Sequence, residues 1–110
     1  MRLPLTAVVT SFLFATTALA NVTSIADLQR GQTATVAGTI DRFFDEDELR
    51  LTDDTGSVRV YLGPDLLPIQ TGEQVTIEGI MDDDVFRDEL YARRITRENG
   101  DVLVIDRRWE

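Results

Sequence analysis

Two short runs of acidic residues carry the clearest chemical signal in the sequence. The first run is Asp45, Glu46, Asp47 and Glu48, and the second is Asp82, Asp83 and Asp84. Carboxylate oxygens are the ligands that Ca²⁺ prefers, and a cluster of them also attracts cationic peptides. Neither run has the fixed ligand spacing of a calcium-binding loop, so both also fit solvated acidic loops that keep a protein soluble. Both interpretations stay open, and the solvated loop is the simpler one.

A second group of polar residues alternates with apolar residues along two neighbouring segments. Its members are Glu48, Arg50, Thr52, Arg59 and Tyr61. Side chains that alternate in this way share one face of a strand pair. An arginine beside an exposed tyrosine can stack on a sugar or a base, which makes these five residues candidates for ligand binding. The alternative, which we favour, is that Arg50 and Arg59 pair with Glu48 and neighbouring acids across the strands.

Residue types that many enzymes need are missing from the chain. It contains no cysteine and no histidine, which excludes thiol chemistry, Cys/His zinc sites and histidine acid–base catalysis. Neither a nucleophile elbow nor a phosphate-binding loop is present. A pair of glycosidase carboxylates would need a deeper cleft than so small a chain offers. We therefore predict that the protein is not an enzyme.

The N-terminal residues 1–20 have the three parts of a secretory signal peptide. Met1 and Arg2 form a positive start, residues 3–13 are largely apolar, and Ala18-Leu19-Ala20 is an A-x-A cleavage signature. The apolar stretch is too short to span a membrane. We predict that residues 1–20 are removed, and that residues 21–110 form a single exported domain with no membrane span.

The exported domain is strongly acidic. The chain has 11 basic and 20 acidic residues, a formal net charge of −9 at pH 7. Removing Arg2 with the signal leaves 10 basic against 20 acidic residues, or −10. Affinity for nucleic acid comes mainly from cations that meet phosphates. The charge therefore predicts that nucleic acid is not a partner and that cationic ligands are attracted.

Alternating apolar and polar residues predict six strands in the exported domain. They cover residues 33–44, 48–53, 57–62, 74–81, 89–96 and 102–105. Gly38 and Gly79 interrupt the first and fourth strands, where glycine marks a bend, a bulge or a close backbone approach. Ile95 breaks the alternation of the fifth strand, which predicts a bulge near Arg93 and Arg94. The sequence DDTG at 53–56 predicts a hairpin between strands two and three.

This strand order predicts an all-β fold. A long strand that bends at a glycine can pair with strands of two sheets, and such a shared strand is typical of a small closed barrel. Residues 65–70, interrupted by Pro68, are predicted to form a short helical plug at one barrel end. The expected architecture is a five-stranded Greek-key barrel of the OB-fold type, with this plug between strands three and four and an extra C-terminal strand.

An OB barrel usually binds its ligand on the outer face of strands two and three, between the one–two and four–five loops. Here those loops are residues 45–48 and 82–88, so both acidic runs are expected at one edge of the groove. Phe43, Phe44 and Phe86 are predicted to be core or loop anchors rather than ligand platforms. Trp109 either packs back on the barrel or marks a partner contact.

Four segments resemble the bacterial OB-fold family of the YgiW/YdeI type. They are SIADL (24–28), VAGTI (36–40), LRLTDDTGSVRV (49–60) and VTIEG (75–79), and the resemblance covers nearly all of residues 24–96. It implies a small periplasmic protein, associated with envelope stress tolerance, that binds a small ligand or an envelope partner. The sequence departs from the family pattern after Asp82, so no ligand residue is carried over onto the later loops.

The functional hypothesis is a non-enzymatic periplasmic OB-fold binding protein that engages a cationic or small envelope ligand through the strand 2–3 face and the acidic loops. A divalent cation such as calcium is the cofactor considered, with candidate ligands Asp45, Asp47, Asp82, Asp83 and Asp84. The alternative is a structural subunit that contacts another envelope protein through the C-terminal hairpin. A nucleic-acid-binding OB domain is the least favoured hypothesis.

Overall fold

A computed structural model describes residues 21–45, 47–64, 66–83 and 88–105. The predicted signal peptide lies outside this part of the chain, as do Glu46, Asp84, Phe86 and Trp109. A 3₁₀ turn at Ile25–Asp27 precedes six strands: β1 (Thr33–Asp45), β2 (Glu48–Asp53), β3 (Gly56–Tyr61), β4 (Gln74–Met81), β5 (Glu89–Arg97) and β6 (Val102–Val104). Among these residues no helix has the length and apolar character needed to cross a membrane.

The strands form one sheet that closes on itself. Their order is β3-β2-β1-β4-β5-β6, and β3 also pairs with β5. The β3–β5 contact is parallel and runs from the pair Arg59 and Glu89 to the pair Tyr61 and Tyr91, whereas the other strand pairs are antiparallel. This contact completes a five-stranded barrel and leaves β6 outside the ring. The predicted all-β OB-fold with an extra C-terminal strand is confirmed.

Strand β1 belongs to both halves of the barrel. Residues 33–39 pair with β4, and from Thr39 onward the strand pairs with β2. Gly38 lies at the changeover, where an added Cβ would be 2.6 Å from the carbonyl oxygen of Thr52. Only glycine lets the backbones of β1 and β2 approach so closely. Of the bend, the bulge and the close backbone approach that a strand glycine can mark, the structure shows a close approach at Gly38.

The side chains predicted to point inward fill the barrel. Because successive strand residues face opposite sides, each strand contributes every second residue to the core. The buried residues at alternating positions are Val36, Ile40, Leu49, Leu51, Val58, Val60, Leu62, Val75, Ile77, Leu90 and Ala92. Ile25, Ile69, Met81, Ile95 and Ile105 complete the core.

Bulges in β1 and β5 change which side chains face outward. The register of β1 against β2 slips between Ile40 and Arg42 and again after Phe43. In β5, Arg93 is an extra residue opposite the step from β4 residue 78 to residue 79. An extra residue reverses the alternation beyond it, and this returns Ile95 to the core. The bulge predicted near Arg93 is confirmed.

The connection between β3 and β4 lacks the predicted helical conformation in its described residues. They form turns and bends, and the Ile69 N–H donates to the Leu67 carbonyl at 2.9 Å. The reason is Pro68, which has no N–H to donate and disfavours helical backbone at the residue before it. The segment still closes the barrel end, because Ile69 is buried and Leu67 packs against the core.

The hairpin turn between β2 and β3 anchors the N-terminal segment. Asp53 Oδ1 accepts hydrogen bonds from the Thr55 N–H (2.7 Å), the Thr55 hydroxyl (2.6 Å) and the Gly56 N–H (3.2 Å), while Oδ2 accepts from the Ile25 N–H (2.9 Å). The Ala26 N–H donates to Thr55 Oγ1 at 2.9 Å. Partial burial raises the pKa of Asp53, but these hydrogen bonds outweigh it and the pKa lies below its ordinary value.

Candidate functional site

The five predicted ligand-binding residues lie on one outer face of β2 and β3. Their inward neighbours Leu49, Leu51, Val58 and Val60 are buried, so the residues between them point outward. Across the two strands Glu48 is opposite Tyr61, Arg50 is opposite Arg59, and Thr52 is opposite Ser57. The structure thus brings together Glu48, Arg50, Thr52, Arg59 and Tyr61, which we call the β2–β3 face.

Both arginines of the β2–β3 face are paired with carboxylates. Arg50 Nη2 lies 2.7 Å from Asp41 Oδ2, and Arg59 Nη1 lies 2.8 Å from Glu48 Oε1. The hydroxyls of Thr52 and Ser57 lie 3.0 Å apart. These are the ion pairs expected in the alternative interpretation of the sequence. The partners are substantially exposed, so each pair adds little stability and chiefly fixes the arginine side chains.

Phe44 lies beneath the guanidinium groups of Arg59 on this face and of Arg42 on β1. The Arg59 guanidinium carbon is 3.9 Å from the centroid of the Phe44 ring, and that of Arg42 is 5.1 Å away. Both distances allow a cation–π interaction. Phe43 packs against the core as predicted, whereas Phe44 faces outward. The slip after Ile40 explains the difference, because an extra residue in β1 reverses which side chains beyond it face the core.

Two tyrosines meet where the barrel closes. Tyr61 on β3 is in register with Tyr91 on β5, and their rings are edge to face, with centroids 5.9 Å apart and an interplanar angle of 82°. The Tyr91 hydroxyl donates a hydrogen bond to Asp82 Oδ2 at 2.9 Å. Tyr91 was not predicted as a site residue. Its outward position follows from its buried neighbours Leu90 and Ala92, but its place beside Tyr61 depends on the parallel β3–β5 contact.

The two acidic loops flank this tyrosine pair at one end of the barrel. One row of paired residues runs from Glu48 through Tyr61 and Tyr91 to Ile80, directly before Met81 and Asp82. Glu48 and Ile80 stand at the two ends of this row, and the two tyrosines lie between them. The loops therefore lie on opposite sides of the tyrosines.

The described acidic residues do not converge on one point. In the described ranges no group of three or more Asp and Glu side chains is placed to hold a metal ion, and Asp84 lies outside these ranges. The Asp47 N–H donates to Asp45 Oδ1 at 3.1 Å. A hydrogen bond between their carboxyl groups lowers the pKa of Asp45 and raises that of Asp47. The calcium site at Asp45, Asp47, Asp82, Asp83 and Asp84 stays a prediction.

A small apolar cavity adjoins the first acidic loop. It has a volume of about 290 Å³ and is lined by Phe43, Asp45, Leu62, Leu66, Leu67 and Ile69. Leu66 at its rim is 79 % exposed. The cavity places apolar surface next to carboxylates, which suits a ligand that carries a positive charge beside an apolar group.

A polar groove of about 410 Å³ lies near the other end of β1, β2 and β4. Four threonines contribute to its lining, namely Thr39, Thr52, Thr76 and Thr96. At its edge Arg97 Nε donates to Glu73 Oε2 at 2.6 Å, and this hydrogen bond lowers the pKa of Glu73. The groove was not predicted, because its lining comes from strands that are distant in the sequence.

The lowered pKa values of Glu73 and Asp53 predict that stability falls in acid. Their ordinary values are 4.5 and 3.8. Between the folded and unfolded pKa of each group the unfolded chain binds more protons, so stability is fully present above about pH 5 and is lost as pH falls through the folded values. Urea midpoints measured from pH 6 to pH 3 should decrease below about pH 4.5. Glu73→Gln should flatten this decrease, and an unchanged slope would contradict the role of the Glu73–Arg97 pair.

Comparison with known proteins identifies the fold. No protein-family model matches the sequence, and no curated protein matches it significantly. The structure is similar to that of the hypothetical protein ygiW from E. coli (TM-score 0.60, 22 % identity, covering 72 % of this chain and 91 % of that one). It is also similar to the telomere capping protein Ten1 from Saccharomyces pombe (TM-score 0.55, 25 % identity, 66 % and 72 %) and to a chain of the S. pombe Stn1-ten1 complex (TM-score 0.54, 26 % identity, 70 % and 71 %). The chain is therefore a small OB-fold protein, with a barrel like that of ygiW.

Proposed function

We propose that this protein is a non-enzymatic OB-fold binding protein of the bacterial periplasm. Its ligand is positively charged, either a cationic peptide or a small envelope molecule, and it binds on the β2–β3 face and the adjoining tyrosine pair. Its physiological role is envelope stress tolerance, as the resemblance to the YgiW/YdeI type implies. The periplasmic location follows from the signal-peptide pattern in residues 1–20.

The observation that carries this proposal is the Tyr61–Tyr91 pair between acidic loops. Tyrosine rings attract cations through their π faces. Asp45 on one side and Asp82 on the other add negative potential at the same end of the barrel, whereas the charge of Glu48 is balanced by Arg59. The apolar cavity beside Asp45 would receive an apolar group next to the charge. A cation is thus favoured by aromatic, electrostatic and apolar contacts together.

The comparison with Ten1 does not lead us to propose a nucleic-acid ligand. Ten1 is a telomere capping protein, and the β2–β3 face of this chain carries arginines beside aromatic rings. However, Arg50 and Arg59 are each paired with a carboxylate, and the chain as a whole has a net charge of −9. Both features oppose phosphate binding.

Calorimetric titration of the chain with a lysine- and arginine-rich peptide tests the proposal. We expect binding that weakens with salt. Tyr61→Ala should weaken it about 5-fold, because a cation–π contact is lost, and Glu48→Gln about 3-fold, because an attractive charge is lost. The matched control Glu98→Gln removes one negative charge from an exposed turn near the other end of β5 and should leave the affinity unchanged.

Titrations with other probes separate the competing readings. Titration with Ca²⁺ tests for a metal site, and titration with cell-wall fragments tests for a small-molecule ligand. Titration with single-stranded DNA tests the hypothesis of nucleic-acid binding. If none of the peptide, Ca²⁺ and the fragments gives a heat of binding, the proposal that the β2–β3 face binds such ligands is wrong. Salt-sensitive nanomolar binding of DNA would replace the proposal with a nucleic-acid function.

A further inference from the structure

Strand β6 is an apolar edge outside the barrel. It stands last in the sheet order, so in the described chain it has a neighbouring strand on one side only. Val102 and Val104 are 52 % and 71 % exposed, while Leu103 between them packs against the core. Edge strands of soluble proteins commonly carry a proline, a charge or a bulge that prevents further pairing. The sequence of β6, VLV, contains no proline and no charge.

The hydrogen bonds to β5 determine which backbone groups of β6 face the open side. The Ile105 N–H donates to the Arg93 carbonyl at 2.9 Å. In an antiparallel ladder, residues whose backbone groups point to the neighbour alternate with residues whose groups point away. Leu103 therefore points its N–H and C=O to β5, whereas those of Val102 and Val104 point to the other side. The two exposed valines thus offer both apolar side chains and backbone hydrogen-bonding groups.

Positive charge adjoins this edge on an otherwise acidic protein. Arg94 on β5 is directly opposite Val104, and the neighbouring Arg93 is also exposed. The Arg94 side chain is 52 % exposed, and its ion pair with Glu78 is long, at 4.0 Å. The surface beside Val104 is therefore positive in a chain whose net charge is −9, whereas the exposed Asp101 lies at the other end of β6. Such a surface attracts acidic partners.

We infer that β6 is a docking strand for an extended segment of another protein that carries apolar and acidic side chains on the same face. The segment would add a strand to the sheet by hydrogen bonds to Val102 and Val104, the mode known as β-augmentation. On the face that Val104 shares with Arg94, its apolar side chains would cover the valines and its acidic side chain would reach toward Arg94. A second copy of this chain is the poorer occupant, because it would bring together two acidic proteins and two pairs of exposed arginines. This surface is separate from the β2–β3 face.

Nuclear magnetic resonance titration with synthetic peptides tests this inference. An extended peptide such as Val-Thr-Glu-Thr-Val, whose valine and glutamate side chains share one face, should shift the amide signals of Val102 and Val104 and slow their hydrogen exchange. The matched peptide Val-Thr-Lys-Thr-Val should bind about 10-fold more weakly, because its lysine is repelled by the arginines. In Arg94→Glu the preference between the two peptides should shift toward the basic one.

A pair of substitutions at one position isolates the backbone contribution. Val104→Pro removes an N–H that β5 does not use, so the barrel should stay folded, while binding of the acidic peptide should fall about 10-fold. Val104→Thr keeps the N–H and should retain binding within about 3-fold. An acidic peptide that shifts signals elsewhere, or none, would overturn the inference. A dimer in sedimentation that Val104→Pro dissociates would overturn it in favour of a second copy.

Discussion

Replacing Gly79 by alanine is expected to destabilise the protein by about 3 kcal/mol. Gly79 is buried in β4 beside the bulge of β5, and an added Cβ would overlap the carbonyl group of Tyr91. The obstacle is backbone rather than a flexible side chain, so it can be relieved only by separating β4 from β5. Urea unfolding monitored by circular dichroism measures the loss.

Gly56→Ala is the matched control for this prediction. Gly56 lies in β3, its φ is not positive, and an added Cβ would meet Ile25 Cγ2 at 3.7 Å, an ordinary contact. Alanine reduces the entropy of the unfolded chain, so this variant should be unchanged or up to about 1 kcal/mol more stable. Equal destabilisation of the two variants would show that the close approach at Gly79 is not the cause.

Asp53→Ala is expected to lower the free energy of unfolding by about 3 kcal/mol. The substitution removes the acceptor of four hydrogen bonds, and it leaves the N–H groups of Ile25, Thr55 and Gly56 without this partner. Asp53→Asn keeps one carbonyl oxygen and should cost about 1 kcal/mol. Chemical denaturation gives both values, and faster hydrogen exchange at Ile25 would show that the N-terminal turn has been released.

The neighbouring Asp54 provides the control for Asp53. It has the same charge and belongs to the same turn, but its side chain is exposed. Asp54→Ala should change stability by no more than about 0.5 kcal/mol. A loss as large as that of Asp53→Ala would mean that negative charge in the turn, rather than the hydrogen bonds of Asp53, stabilises the structure.

Local patterns in the sequence were sufficient to predict most of the barrel. The alternation of apolar residues located all six strands, because a strand that buries one face requires period two. The DDTG hairpin could be predicted because it depends only on neighbouring residues. Gly38 could be recognised as a special position because few residue types allow a close backbone approach. The face formed by Glu48, Arg50 and Tyr61 followed directly from the same alternation.

Other parts of the site depend on contacts that no local pattern contains. Tyr91 joins Tyr61 only because β5 runs parallel to β3, a contact between residues 30 positions apart, such as Arg59 and Glu89. Phe44 turns outward because β1 slips against β2, and the sequence of β1 shows no residue that requires the slip. The helical plug was expected from apolar content, but Pro68 determines the backbone there.

The parallel contact that closes the barrel also affects the order in which the chain can fold. Strands β1, β2 and β3 are consecutive hairpin partners, so they can assemble from residues close in sequence. Their inward faces can be covered only when β4 and β5 arrive. During synthesis from the N-terminus, the apolar face of this three-stranded sheet therefore stays exposed to water until β5, which ends at Arg97, is available. The chain is thus most prone to aggregation during the time between the synthesis of β3 and the synthesis of β5.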